Sequence, residues 1–180
     1  ERQTMLFSAT LSKEILTIAT KTMKLPLQIE VAPQGTTAEN VSQELFVIRK
    51  DDKLRLLEKI LLDYRGSTLV FTRTKHGASK VAKKISSMGY PAAEIHSNRS
   101  LHQRKAALEG FKNGRYRVLV ATDSMARGID VKGVELVINF DLPSQSADYV
   151  HRIGRTARAG AEGHAISFVE PAQRRDIRDI

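Results

Sequence analysis

Apolar positions recur along the chain with two periods, one near two and one near 3.6, and stretches of the two kinds alternate. Thr4-Met5-Leu6-Phe7 is a short apolar run leading into Ser8-Ala9-Thr10, which predicts a strand over Gln3 to Thr10 ending at a turn. A helix is predicted from Ser12 to Met23. Ile15, Ile18, Ala19 and Thr22 share a stripe, Leu11 and Leu16 have the spacing of a hydrophobic staple, and Pro26 marks the end. Leu27 to Val31 alternates like a second strand, and Pro33 to Asn40, PQGTTAEN, has the small, polar composition of a flexible linker.

A longer unit follows from Val41. Its predicted strands are Val41 to Ile48, Ser67 to Thr72, Ala92 to His96, Arg117 to Thr122, Glu135 to Phe140 and His164 to Val169. STLVFT is apolar through its middle and rich in β-branched residues, as a strand buried on both faces must be. The predicted helices run from Asp51 to Leu62, with Leu54, Leu57 and Leu61 on one side; to about Met88, closed by Gly89; from a Ser100/Gln103 capping box to Lys112, closed by Asn113-Gly114; and from Ser146 to about Arg155. Pro171 opens a last helix. Strands alternating with helices of this length predict an α/β fold, an open and mostly parallel sheet with crossover helices. The expected organisation is a segment over residues 1–33, a linker over 34–40 and a main domain over 41–180.

Composition narrows the partners. The 180 residues carry a net charge of +9, which favours a polyanion, nucleic acid first. With no cysteine, disulfides and thiolate metal sites are excluded, and a cytoplasmic setting is compatible. The five histidines have no metal-site spacing, so no metal ligand is predicted. No apolar run approaches the ~20 residues of a membrane span. The chain starts at Glu1 with no leader-like segment, which suggests an excised fragment. The apolar positions of residues 1–33 could seek another surface, including a second copy of the chain.

In a parallel sheet, function collects in the loops beyond the carboxyl ends of the strands, and four such loops carry polar residues. Thr72-Arg73-Thr74-Lys75 places hydroxyls and cations at a helix start, suited to phosphate oxygens; an ordinary N-cap with exposed charges explains the same residues. His96 to Arg104 places Arg104 in the first turn of a helix, where the dipole disfavours a cation unless an anion is shared there. Between Ser97 and Arg117 stand six cations and one acid, a footprint for phosphates, or simply a solvated basic face. Ala121 to Asp130, ATDSMARGID, combines Thr122, Asp123, Arg127, Gly128 and Asp130. A capping role covers Asp123 and leaves Arg127 and Asp130 unexplained.

The fourth loop is His151 to Gly160, HRIGRTARAG, with Arg152, Arg155 and Arg158 at three-residue intervals, a spacing that keeps side chains near one helical face. Arginines aimed at a transferring phosphate stabilise the charge developing there, though three arginines also suit a solvated helix face. The sequence has no G-x-x-x-x-G-K-[ST] loop and no acidic cluster for Mg²⁺, so these arginines read as half of a site. A dinucleotide-binding domain fits the sheet but not the loops, because no G-x-G-x-x-G follows the first strand.

Ser8-Ala9-Thr10, Phe71 through Lys75, Ala121 through Asp130 and His151 through Gly160 together resemble, in order and wording, the motifs of DEAD-box RNA helicases. HSNRSLHQR, RYRVLVATD and GHAISF resemble the bacterial RhlE-type branch in particular. The resemblance implies two RecA-like domains, each an open sheet with helices on both faces, with ATP between them and RNA across both. This chain would be the second domain plus the tail of the first, which would hold most of the ATP and its Mg²⁺; alone it would be inactive. By the same resemblance, Arg155 and Arg158 correspond to the γ-phosphate contact and the arginine finger, and His151 and Arg152 to interdomain contacts. Gly128 and Asp130 correspond to the ribose site, Thr74, Arg104, Thr122 and Arg127 to RNA-phosphate contacts, and Ser8 and Thr10 to the coupling of hydrolysis to unwinding. Three positions depart from the pattern: Ala157 stands where R-T-G-R has glycine, which strains the loop if φ is positive there, Leu101 stands where glutamine is frequent, and Ser97 stands where many members have glycine. A stand-alone RNA-binding module without catalysis is the alternative function.

Overall fold

The computed structural model describes residues 3–8, 13–29, 40–126, 134–157, 162–174 and 177. The chain divides into two compact units, Glu1–Thr36 and Thr37–Ile180.

The first unit contributes one helix, α1 (Lys13–Thr22), close to the predicted span. The two strands predicted beside it are absent among the described residues: residues 3–8 and 26–29 are irregular, and Met5, Phe7, Leu27 and Ile29 are exposed. A strand needs a neighbour for its N–H and C=O groups, and the described residues of this unit supply none.

The second unit alternates as predicted. Its strands are β1 (Val41–Val47), β2 (Thr68–Phe71), β3 (Ala92–Ile95), β4 (Val118–Ala121), β5 (Leu136–Asn139) and β6 (Gly163–Val169). They form one sheet in the order β1-β6-β5-β2-β4-β3, and every pairing is parallel. The helices are α2 (Lys53–Asp63), α3 (Lys75–Ser87), α4 (Leu101–Lys112), the short α5 (Asp123–Ala126) and α6 (Ser146–Ile153). β2, β4 and β5 are buried along their whole length, as continuous apolar runs in a covered parallel sheet must be.

Strand side chains alternate between two cores. Leu69, Phe71, Leu119 and Val137 face one core with Phe111 of α4 and Tyr149 and Ile153 of α6. Val70, Val120, Leu136 and Ile138 face the other with Leu57 and Leu61 of α2 and Val81 and Ile85 of α3. Helices therefore cover both faces.

The caps follow the sequence closely. Ser100 and Gln103 form the predicted box, and Gly89 and Gly114 close α3 and α4 with φ of 91° and 79°. A Cβ at either glycine would meet nothing within 4 Å, so the backbone angle, not space, demands glycine. Three boundaries differ from expectation. A 3-10 turn over Lys50–Asp52 precedes α2, the stretch at Pro171 is a 3-10 turn over Pro171–Gln173, and α6 stops at Ile153. The helix α5 lies in a stretch the pattern left as loop; at four residues it is too short for periodicity to reveal.

Candidate nucleotide and RNA site

Because all pairings are parallel, Ile95, Ala121, Phe71 and Asn139 stand opposite one another in register at one edge of the sheet. Thr74 lies in the loop after β2, Thr122 in that after β4, and Arg104 on the helix that follows the loop after β3.

Thr74 is the N-cap of α3, its hydroxyl accepting a hydrogen bond from Gly77 N at 3.0 Å. The capping role is thus real, and it holds the loop rigid. Thr72 beneath it is buried, with its hydroxyl on Thr74 O at 3.2 Å. Thr122 is buried where β4 meets α5. The capping box takes up part of the α4 start: Gln103 N donates to Ser100 Oγ, and Arg104 N to Ser100 O. The Arg104 guanidinium crosses to α5, with Nη1 2.8 Å from Met125 Sδ and Nε buried without a hydrogen-bond partner.

The expectation that α6 runs to Arg155, with Arg152 and Arg155 near one helical face, is corrected. α6 ends at Ile153, so Arg155 stands in the turn beyond it, with Nε on His151 O at 3.1 Å. Arg152 is 2% exposed and turned inward, on the stripe of Tyr149 and Ile153. Its guanidinium forks onto both carboxylate oxygens of Asp123, at 2.6 and 2.8 Å, and reaches Asn139 Oδ1 at 3.1 Å and Asp141 O at 2.6 Å. The Phe71 ring lies 5.0 Å away. A buried, bidentate pair of this kind costs about 3–5 kcal/mol to break from one side, because an unpaired charge is left inside. Arg152 is therefore engaged within its own domain. It braces α6, which carries His151, against α5 beside Thr122.

Beyond Arg155, Thr156 is buried and donates to Val134 O at 2.5 Å and Glu135 O at 3.2 Å, fixing the loop to the start of β5. Ala157 follows with φ of +53°, the left-handed conformation that the glycine of the resembled motif would adopt freely. Ser8 is exposed and in no strand. Thr10, Arg127, Gly128, Asp130 and Arg158 lie outside the described residues.

One cluster near this edge was not anticipated. His96 is buried with Nε2 2.9 Å from Ser79 Oγ and 3.1 Å from Glu94 Oε2, while Nδ1 accepts from Asn98 N at 3.2 Å. The distances resemble a nucleophile–base pair. With Nδ1 accepting, however, the ring proton sits on Nε2, so Ser79 faces a donor and no base. Burial alone would push the Glu94 carboxyl up; hydrogen bonds from Ser79, Arg99 and His96, with the charge of Arg99, outweigh it and hold Glu94 below the usual carboxylate range. The cluster anchors the loop between β3 and α4. Asp123, Asn139 and Asp141 as partners of Arg152 were also missed, because nothing in linear spacing brings these positions together. Lys53, 1% exposed, had a signal: it stands four and eight residues before Leu57 and Leu61, on the buried stripe of α2.

Among the described residues, no group of three His, Asp or Glu side chains could hold a metal ion, and no helix is long and apolar enough to cross a membrane.

Residues 52–160 match the model of the helicase conserved C-terminal domain. The chain belongs to that family. Its relatives are DEAD-box RNA helicases. The ATP-dependent RNA helicase DbpA of Bacillus subtilis is 42% identical over 181 residues, covering 100% of this chain and 38% of its own length. The helicase domain therefore spans well under half of that relative. Among solved structures, Saccharomyces cerevisiae Dbp5 bound to RNA and ADP BeF3 superposes with a TM-score of 0.84 at 31% identity, over 96% of this chain and 46% of that one. A DEAD-box protein from Methanococcus jannaschii superposes with a TM-score of 0.74 at 35% identity, over 96% of this chain and 46% of that one. The fold of the helicase domain is thus RecA-like.

Proposed function

We propose that this chain is the second RecA-like domain of an ATP-dependent RNA helicase, preceded by the tail of the first over residues 1–33 and a linker over 34–40. The observation that supports the reading is the tie between two motif stretches, the start of α5 and the end of α6. Arg152 ties the α6 segment, with His151 and Arg155, to the α5 loop, with Thr122. A change at the nucleotide side is then mechanically joined to the RNA side.

In this reading Arg155 contacts the γ-phosphate and Arg158 is the arginine finger, with charge stabilisation as their contribution. His151 faces the first domain. Gly128 and Asp130 meet the ribose. Thr74, Arg104, Thr122 and Arg127 grip RNA phosphates, which gives little sequence preference. Ser8 and Thr10 couple hydrolysis to local duplex unwinding. The first domain of the same protein holds most of the ATP and the Mg²⁺. The RhlE-type wording of HSNRSLHQR and GHAISF supports that branch, and the lack of cysteine suits work in the cytoplasm.

The deciding experiment is ATP hydrolysis by this chain and by the full-length protein, with and without single-stranded RNA. The expected result is no turnover by the chain alone, RNA-stimulated turnover by the full-length protein, and loss of that turnover with retained RNA binding in Arg158→Ala. Turnover by the chain alone would mean its nucleotide site is complete. RNA binding without turnover in the full-length protein would establish the RNA-binding module instead.

A further inference from the structure

A second polar network crosses the same edge, and its carboxylates and its buried ammonium, Asp141, Glu170 and Lys53, stand outside the motifs. Its centre is Asp141, just beyond β5. One carboxylate oxygen, Oδ1, accepts from Lys53 Nζ at 3.1 Å; the other, Oδ2, accepts from the backbone N–H of Arg73 at 3.1 Å. The Asp141 carbonyl accepts from Arg152 Nη1 at 2.6 Å, and its N–H donates to Phe71 O at 3.3 Å. Arg73 is held a second time, with Nη2 on Leu142 O at 3.2 Å. Lys53 is completed by Glu170 at 2.9 Å and lies 5.5 Å from the Phe140 ring centroid.

A buried ammonium is costly unless paired on more than one side, and sequences that keep one in a core are retaining a specific geometry at the expense of stability. Here the geometry fixed is the peptide at Arg73, between the buried Thr72 and the N-cap Thr74. Lys53, at the start of α2, is too far inside to touch a ligand. What it can do is hold the Asp141 carboxylate, and that carboxylate sets where the Thr72–Thr74 loop stands. The Asp141 backbone meanwhile meets Arg152, the brace of α6 and α5.

We propose that Asp141, oriented by Lys53, is a positioning residue for RNA. It fixes the loop after β2 in the place from which Thr74 and its neighbours grip a phosphate, and joins that loop to the arginine segment through Arg152. The proposal rests on the reading of the chain as part of an RNA-dependent ATPase. Asp141→Asn is nearly isosteric and leaves the backbone bond to Arg152 untouched. It removes the charge that Lys53 and the Arg73 amide both use.

The test is the RNA-concentration dependence of ATP hydrolysis by the full-length protein. With Asp141→Asn the RNA concentration for half-maximal stimulation should rise about tenfold, the size of one lost hydrogen bond to a charged group. The rate at saturating RNA should hold. A merely structural role would lower that rate and the melting temperature together, with no selective change in the RNA requirement, and would overturn the proposal. So would an unchanged RNA requirement. If Asp141→Asn does not fold, Lys53→Met decides: it keeps the carboxylate but frees it, and should shift the RNA requirement in the same direction by a smaller factor, whereas no shift refutes the proposal. An unmodified protein without RNA-stimulated turnover would overturn the underlying reading, a failure seen before any variant is compared.

Discussion

Ala157→Gly should stabilise the protein, against the usual sign for placing glycine in a folded chain. Ala157 has φ of +53°, where an L-residue's Cβ crowds its own backbone at a cost of about 1–2 kcal/mol. The surroundings give the residue no way out. Thr156 before it is locked to Val134 and Glu135, and a Cβ at Gly163 would come within 2.6 Å of Ala157 N, which shows how closely β6 approaches. Glycine removes the crowding but gives the unfolded chain more freedom, at about 0.4–1 kcal/mol. The balance is a gain of roughly 0.5–1 kcal/mol, or about 1–4 °C in Tm for a chain of this size. Urea unfolding followed by far-ultraviolet circular dichroism measures it as a higher midpoint with an unchanged slope. Ala157→Val is the counterpart and should lose more than about 1 kcal/mol, since a β-branched residue is least tolerant of this region. A lower midpoint for Ala157→Gly would mean the loop is not held in the left-handed conformation, and the account of strain beside the arginine segment would fall.

Two further outcomes follow from the same structure. The Glu94 carboxyl is held below its ordinary value of 4.5, so the stability it contributes is present above that pH and lost as pH falls through the lower folded value; Glu94→Gln should therefore be less stable at neutral pH, with a deficit that shrinks below pH 4.5, and a deficit constant across that range would refute the assignment. Phe7, Leu25, Leu27 and Ile29 are between 77% and 99% exposed; sedimentation of this chain should show mass rising with concentration, a chain beginning at Thr37 should stay monomeric, and a monomeric full chain would remove the case for self-association.

How far the structure could be read from sequence depends on where each residue finds its partners. β2, β4 and β5 and the caps at Ser100, Gly89 and Gly114 were legible, because burial on both faces and local backbone geometry leave marks within a few residues. The strands expected over Gln3 to Thr10 and Leu27 to Val31 carried the right alternation but depend on neighbours that the described residues do not include. Ala157 lay between these cases: its sequence context named the question, and only the backbone angle answered it. The arginines show the limit most clearly. Arg152 and Arg155 read alike in the sequence, as cations of one motif three residues apart. One is buried against Asp123 and Asn139 and the other stands in the turn past the helix, because Ile153 ends α6 between them. Spacing assigned them a common face; the helix end gave them different work. A buried cation on an apolar stripe was the signal available at both Arg152 and Lys53, and at both it marks a residue that holds the site's loops from inside.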